Sequence, residues 1–308
     1  MQRVQELIER AAVTDANILV LGESGTGKDM VARLIHIRSL RRDKPLVTID
    51  CAALPEDLLE SELFGYEKGA FTGASDAKPG RFEAADKGTL VLDEIASLSQ
   101  SSQAKLLRVI EERCFERLGG KQSIRIDVRI VALANVDLKE AVRGKAFRDD
   151  LYYRLNVVTI ELPKLIDRTK DLSKLATIFA SYFSARSGRR APSVTQGALD
   201  ILSGYDFPGN VRELRNIIEL SVLSTDKDEI RPEHLPNYLR SAGQMMRSRK
   251  HKLTLAEMES IYISEVLEFT RGNKTRAAEI LGISRKNLYE KMRRYGIGGR
   301  KMEEASLN

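Results

Sequence analysis

Gly22-Glu23-Ser24-Gly25-Thr26-Gly27-Lys28-Asp29 follows the apolar run Asn17-Ile18-Leu19-Val20-Leu21 and precedes Met30-Val31-Ala32-Arg33-Leu34-Ile35-His36, which has helical spacing. A short buried strand, a glycine-rich turn and a helix make the setting of a phosphate-binding loop. Glycines let backbone N–H groups turn inward onto an anion, and the helix N-terminus adds partial positive charge. Lys28 reaches the terminal phosphates as a point charge. Asp29 stands where a hydroxyl residue usually meets magnesium, so that contact is missing. The plain alternative is a turn that merely joins strand to helix. The four-residue spacing and the lysine argue against it.

Leu90-Val91-Leu92-Asp93-Glu94, 65 residues on from Lys28, is an apolar strand ending in two acids. At the C-terminal edge of a strand beside a phosphate loop, Asp93 can hold a magnesium ion that bridges phosphates. Glu94 can orient and activate an attacking water. Taken alone, such a pair is ordinarily a solvated strand end. A glutamate after the aspartate favours hydrolysis over transfer.

Around these sites, residues 1–165 alternate strands (46–49, 89–92, 128–133) with helical stretches, notably Gln100 to Glu112. The alternation predicts an α/β core with a parallel sheet. Residues 168–240 read as helices only (171–186, 196–205, 211–223), and 241–252 as a polar, basic linker. The expected division is an α/β subdomain over 1–166, a helical lid over 167–240, the linker, and a helical C-terminal domain over 253–308.

The chain has 308 residues and a net charge of +6. From Met245 to Lys301, 14 Lys/Arg face 6 Asp/Glu, a local net of +8 that leaves −2 for the remainder. The excess positive charge therefore sits in the C-terminal part, which points to a nucleic-acid partner there. No apolar run approaches the ~20 residues of a membrane span, and no signal peptide is visible. Cys51 and Cys114 lack metal-ligand spacing and fit buried thiols in a reducing compartment, a disulfide being the other reading. The expected location is the cytoplasm.

Asn273-Lys274-Thr275-Arg276-Ala277-Ala278-Glu279-Ile280-Leu281-Gly282-Ile283-Ser284-Arg285-Lys286-Asn287-Leu288-Tyr289 reads as helix, tight turn, helix. Gly282 ends the first helix and Ser284 can cap the second. The second helix carries Arg285, Lys286, Asn287, Lys291, Arg293 and Arg294 on its wetter faces, which suits a recognition helix in a major groove. A solvated basic helix in a small bundle is the alternative. Ahead of it, Leu255 to Phe269 shows an apolar stripe (Leu255, Met258, Ile261, Tyr262, Val266) that suits a dimer interface.

Between the two acidic and phosphate sites lies Glu62-Leu63-Phe64-Gly65-Tyr66-Glu67-Lys68-Gly69-Ala70-Phe71-Thr72-Gly73-Ala74. By physics alone it is a glycine-flanked loop carrying Phe71. Gly-Ala-Phe-Thr-Gly-Ala is nonetheless highly specific, and with it the chain resembles, over nearly its whole length, the AAA+ activators of sigma-54 RNA polymerase. The resemblance implies a phosphate-loop ATPase sheet with a helical lid, then a Fis-type helix-turn-helix. It also implies a homo-oligomeric ring, usually a hexamer, using ATP and Mg2+. Gly69 to Ala74 would contact sigma-54, through Phe71 and Thr72 in particular. Residues 115–122 would form a second mobile loop. Asn135 would be a sensor, Arg148 and Arg154 arginine fingers reaching the neighbouring subunit, and Arg212 a second sensor reporting to the lid. Thr275, Arg276, Ser284, Arg285, Lys286, Asn287 and Lys291 would face enhancer DNA.

Three positions depart from the family pattern. Asp50 replaces the common Asn that holds the catalytic glutamate in a switch, and an ionised carboxylate accepts but does not donate. Ala134 replaces a Thr before the first sensor, and Phe207 a Trp before the Pro-Gly turn. The family's usual segment before Met1, and any receiver domain, do not precede this core, which suggests either a truncated chain or control by a separate regulatory protein. Two rival readings are a DNA-binding regulator whose ATP site is structural, kept open by Asp50 and Ala134, and an AAA+ DNA-remodelling enzyme, which would have no use for the hexapeptide.

Overall fold

A computed structural model describes residues 1–225, 228–239, 254–270 and 272–297; the expected linker lies outside the described residues. The first half builds five parallel strands, β1 (Ile18–Leu21), β2 (Leu46–Asp50), β3 (Thr89–Asp93), β6 (Arg129–Ala134) and β7 (Val158–Glu161), in the order β2-β3-β6-β1-β7. A separate hairpin pairs β4 (Cys114–Glu116) with β5 (Ser123–Arg125). β3 and β6 are buried along nearly their whole length, as strands covered on both faces must be.

Alternate residues feed two cores. Leu19, Leu90, Leu92 and Ala132 pack on one face with α3 (Glu56–Phe64), α5 (Gln100–Glu112) and α7 (Asp149–Leu155). Ile18, Val20, Val91 and Val131 pack on the other with α1 (Gln2–Ala12) and α2 (Lys28–Ile37). Between α3 and β3 lies the short α4 (Arg81–Ala84), and α6 (Leu138–Arg143) follows β6. The fully buried Arg129 ties α1 to the sheet. Its guanidinium donates to the carbonyls of Ala11 (2.6 Å), Ala12 (3.1 Å) and Ala16 (3.3 Å), placing a cation on the carbonyl end of the helix. The cost is desolvation, which lowers the Arg129 pKa.

By contacts the chain divides into Met1–Ala191 with Asp206–Glu219, and Pro192–Tyr205 with Leu220–Asn308. The first unit thus holds, besides the sheet, α8 (Thr169–Arg186) and most of α10 (Asn210–Leu223). The second holds α9 (Gln196–Ser203), α11 (Leu255–Phe269), α12 (Lys274–Ile280) and α13 (Arg285–Tyr295). Residues 168–240 are not purely helical: β8 (Ser193–Val194) pairs in parallel with β9 (Glu229–Ile230). Two-residue strands carry too little periodicity to be read in advance. No helix among the described residues is long and apolar enough to cross a membrane.

Candidate nucleotide site, remodelling loops and DNA-reading helices

The phosphate loop is built as its glycines require. Gly25 and Gly27 have φ of 76° and 102°, in the left-handed region, and α2 starts directly at Lys28. Thr26 and Lys28 are buried. The Lys28 Nζ donates to the carbonyls of Gly22 (2.8 Å) and Glu23 (3.2 Å), so the loop already holds the ammonium above its own cradle.

A Pro-Gly turn at 208–209 closes against this loop. The Val211 N–H donates to the Gly25 carbonyl at 2.9 Å, and a Cβ added to Gly25 would lie 2.2 Å from the Gly209 carbonyl oxygen. Asn210, buried and at φ 50°, donates to the Ser24 carbonyl (3.1 Å) and Glu23 carboxylate (3.3 Å) while its side-chain oxygen accepts from the Leu165 N–H (2.8 Å). Arg212 then donates to the Ser24 hydroxyl at 2.9 Å. Arg168 reaches the loop from the other side, through the Thr26 carbonyl at 2.8 Å. Neither Asn210 nor Arg168 stood out in the sequence, although the left-handed residue after Pro-Gly was the available signal for Asn210.

Gly25, Gly27, Lys28, Asp29, Asp93, Glu94 and Arg212 line one cavity of about 200 Å³. Glu94 sits at φ 53°, an uncommon conformation for a non-glycine residue, and its N–H donates to the Asp93 carboxylate at 2.9 Å. Burial raises the Asp93 pKa, with Asp29 adding to it. Burial also raises Glu94, with Lys28 opposing and Asp93 and Asp50 reinforcing. Asp50 lies across from Asp93 in the sheet and accepts from the Ala52 N–H at 2.9 Å. Next to it, burial pushes the Cys51 thiol up to about 12, helped by Asp50; Cys51 and Cys114 are both free thiols. Among the described residues no three His, Cys, Asp or Glu side chains converge as a metal cage. The Asp93 carboxylate is an oxygen donor of the kind that hard divalent cations take.

Asn135, at the end of β6, lines a neighbouring cavity with Gly22 and Glu23. Neither Arg148 nor Arg154 is among the residues lining the phosphate-loop cavity. Arg148 forks onto Asp150 (2.7 and 3.0 Å) and Arg154 pairs with Glu111 (2.8 Å).

The hexapeptide forms a tight loop between α3 and α4. Gly69 and Gly73 take φ of 82° and 105°, and the Gly69 N–H donates to the Ala74 carbonyl at 2.9 Å. Ala74 is buried, while Ala70 is half-buried and Phe71 and Thr72 are exposed. Phe71 makes an edge contact with Tyr66, 5.0 Å between centroids. The β4–β5 hairpin zips onto the base of this loop. The Glu67 N–H donates to the Leu118 carbonyl, and the Leu118 N–H to the Gly65 carbonyl, both at 3.0 Å. Arg117 clamps the junction through Glu83 (2.7 Å) and Glu67 (3.0 Å). Gly119 packs so closely that a Cβ would lie 2.9 Å from Ala70.

In the C-terminal domain, Ile263, Val266, Leu267, Ala277, Ala278 and Leu288 form a small core. Asn273 caps α12 by accepting from the Arg276 N–H, and Ser284 caps α13 by accepting from the Asn287 N–H, both at 3.2 Å. Gly282, at φ 67°, makes the turn between them. Thr275, Arg276, Ser284, Arg285, Lys286 and Asn287 are all exposed. Lys291 instead pairs with Glu259 of α11 at 2.6 Å, and Tyr295 donates to the same carboxylate at 2.6 Å. Within α11 the apolar stripe splits: Val266 turns inward, whereas Leu255, Tyr262 and Phe269, seven residues apart, stay exposed.

A parallel sheet with a phosphate loop, paired strand-end acids and a lid, followed by a helix-turn-helix, defines an AAA+ nucleotide-binding protein with a DNA-binding module. Family models agree along the chain: the sigma-54 interaction domain matches residues 1–161, the AAA+ ATPase lid domain 166–252, and the Fis family of bacterial regulatory proteins 254–295. The chain belongs to the family of sigma-54-dependent activators. It is 46% identical to regulatory protein AtoC of Escherichia coli over 94% of this chain and 64% of AtoC. It is 46% identical to nitrogen fixation protein AnfA of Azotobacter vinelandii over 96% and 56% of the two chains. The chain therefore spans less than two thirds of the length of those relatives. Among solved structures, NtrX of Brucella abortus in complex with ATP superposes with a TM-score of 0.72 at 32% identity, covering 96% of this chain and 68% of NtrX.

Proposed function

We propose that the chain is an ATP-hydrolysing activator that binds enhancer DNA and remodels the closed complex of sigma-54 RNA polymerase so that the promoter opens. The observation that carries this is the convergence of Lys28, Asp93, Glu94 and Arg212 on one cavity at the carboxyl edge of a parallel sheet, where ligands of open α/β sheets bind. The loop amides of Gly25 to Lys28 take the inner phosphates, Lys28 exchanges its loop carbonyls for phosphate oxygens, and Asp93 would hold Mg2+, which would supply charge neutralisation. Glu94 accepts the proton of the attacking water. Asn135 orients the end of the phosphate chain, and Arg212 couples nucleotide state to the lid.

Arg148 and Arg154 pair with acids of their own chain at half-exposed positions and do not line its phosphate-loop cavity. That supports a role in trans, in a ring whose sites are shared between copies. NtrX, crystallised with ATP, supports the nucleotide assignment. The test is ATP turnover against protein concentration. Turnover is expected to rise steeply with concentration, and Arg148→Ala subunits mixed into wild type should poison it, since a finger contributes roughly 10³–10⁵ in rate. Turnover independent of concentration, or additive in the mixture, would sink the shared-site reading.

The exposed Phe71 and Thr72 support the loop as the sigma-54 contact, and the heptad row Leu255, Tyr262 and Phe269 supports pairing of two C-terminal domains. Arg285, Lys286 and Asn287, at the start of α13, are the residues placed to reach base edges. Arg285→Ala should lose about 1–3 kcal/mol of specific binding while nonspecific binding changes less, read by anisotropy with specific and scrambled duplexes. Equal losses on both duplexes would leave Arg285 a phosphate contact. Lys291, tied to Glu259, acts in this reading by holding α13 on α11. We place the protein in the cytoplasm.

A further inference from the structure

We infer that Arg215 is a second phosphate-reading cation of the lid, one that distinguishes a nucleoside triphosphate from a diphosphate. The inference rests on the ATP reading above. Arg215 follows Arg212 by three residues on α10, so the two side chains are neighbours on one helix face. Both line the cavity that contains Gly27, Lys28, Asp93 and Glu94. Their surroundings differ. Arg212 is engaged with the Ser24 hydroxyl of the loop. Arg215 has no carboxylate within salt-bridge distance among the described residues; its guanidinium lies over the Phe183 ring of α8, 5.6 Å from the centroid. Phe179, one turn earlier on α8, lines the same cavity.

Each of these facts bears on the role. Arg117, Arg148 and Arg154 already have acids, Glu83, Asp150 and Glu111, and Arg129, Arg168 and Arg212 are engaged with carbonyl or hydroxyl oxygens. A cation kept on an aromatic face is positioned without being neutralised, so its charge stays available to an incoming anion. The cavity's acids, Asp29, Asp93 and Glu94, are matched in number by Lys28, Arg212 and Arg215. Removing Arg215 leaves the site short of positive charge just when the more highly charged ligand enters. The loop amides already serve the inner phosphates, and Lys28 alone reaches from the loop towards the terminal ones. Cations arriving from α10 therefore meet the far end of the phosphate chain, which ATP has and ADP lacks. Phe183 holds the guanidinium ready and acts as a positioning residue.

The experiment measures binding of ATP and ADP by titration calorimetry in magnesium buffer, in a Glu94→Gln background that keeps ATP intact. Arg215→Gln should weaken ATP by about 10- to 100-fold, the range of one hydrogen bond to a charged group, and ADP by about threefold or less. Arg215→Lys should recover most of the ATP affinity because a point charge suffices. Phe183→Leu should fall between. An equal loss for both nucleotides, or no loss for either, overturns the inference while leaving the ATP reading intact. If the Glu94→Gln parent binds neither nucleotide, the ATP reading itself fails and the inference falls with it.

Discussion

On the proposed ATPase reading, replacing Glu94 with Gln should slow ATP hydrolysis by about 10²- to 10⁴-fold, the usual contribution of a positioned general base, and should leave nucleotide binding in place. The amide matches the carboxylate in shape but cannot take a proton. The backbone there is set by a left-handed φ and by the Glu94 N–H bond to Asp93, so the side chain's position survives the change. Burial, reinforced by Asp93 and Asp50 and opposed by Lys28, raises the Glu94 pKa. A raised pKa makes a stronger base and also sets a pH limit. Turnover should rise with pH through a value above the ordinary glutamate range and be lost below it. Asp50→Asn removes one of the like charges, so its acid limb should move to lower pH. Steady-state rates across pH, with calorimetric ATP binding on the same proteins, check both statements. A Glu94→Gln protein that turns over ATP at the wild-type rate would remove Glu94 from the chemistry. An acid limb unmoved by Asp50→Asn would deny Asp50 any electrostatic reach to it.

What could be read from the sequence was what is local. The phosphate loop, the strand ending in Asp93-Glu94 and the capped helix-turn-helix each state their requirement within a few residues. Glycine for positive φ and serine for a helix start are examples. Lys28, Asp93, Glu94 and Arg212 do meet in one cavity. What could not be read was long-range and polar. Arg129 looked like an ordinary strand residue, and nothing near it says that it ends up buried against the carbonyls of Ala11, Ala12 and Ala16. Lys291 reads as one more basic residue of a DNA-facing helix, and nothing near it announces its pairing with Glu259, 32 residues earlier. The α11 stripe had the right composition but mixed inward and outward positions. Apolar spacing says that a face exists, and only packing says which residues it uses. The β8–β9 pair and the Asn210 bridge depend likewise on partners that no periodicity encodes.

Breaking the Arg117 clamp should separate ATP turnover from promoter opening. The hairpin touches the hexapeptide loop through backbone bonds at Gly65, Glu67 and Leu118, through the close approach of Gly119 to Ala70, and through the Arg117 fork. In the proposed function these contacts would couple the two loops, so that movement of the β4–β5 hairpin is passed to Phe71 and Thr72. None of them involves the phosphate loop, Asp93 or Glu94. The Arg117 guanidinium and the Glu83 carboxylate reinforce each other, Glu83 holding the arginine more firmly charged and Arg117 depressing the acid. Both side chains are about one fifth exposed. After allowance for solvent screening, pairs of this kind contribute about 1 kcal/mol or less, so Arg117→Ala should fold and hydrolyse ATP within roughly threefold of wild type. Open-complex formation with sigma-54 polymerase should fall by about tenfold, an effect of about 1.4 kcal/mol on the coupled step, which the pairs to Glu83 and Glu67 can supply only together. Gly119→Ala is the sharper variant. It adds a Cβ at φ 73° against Ala70, forcing the hairpin off the loop without changing any charge. It should reproduce the Arg117→Ala defect, and Thr72→Ala should share the loss of opening with the clamp intact. Equal falls in hydrolysis and opening in all three would show that the loops feed back on the ATP site and do not simply transmit from it. Normal opening in Gly119→Ala would mean that the hexapeptide moves without the hairpin, and the clamp would then be only a structural tie.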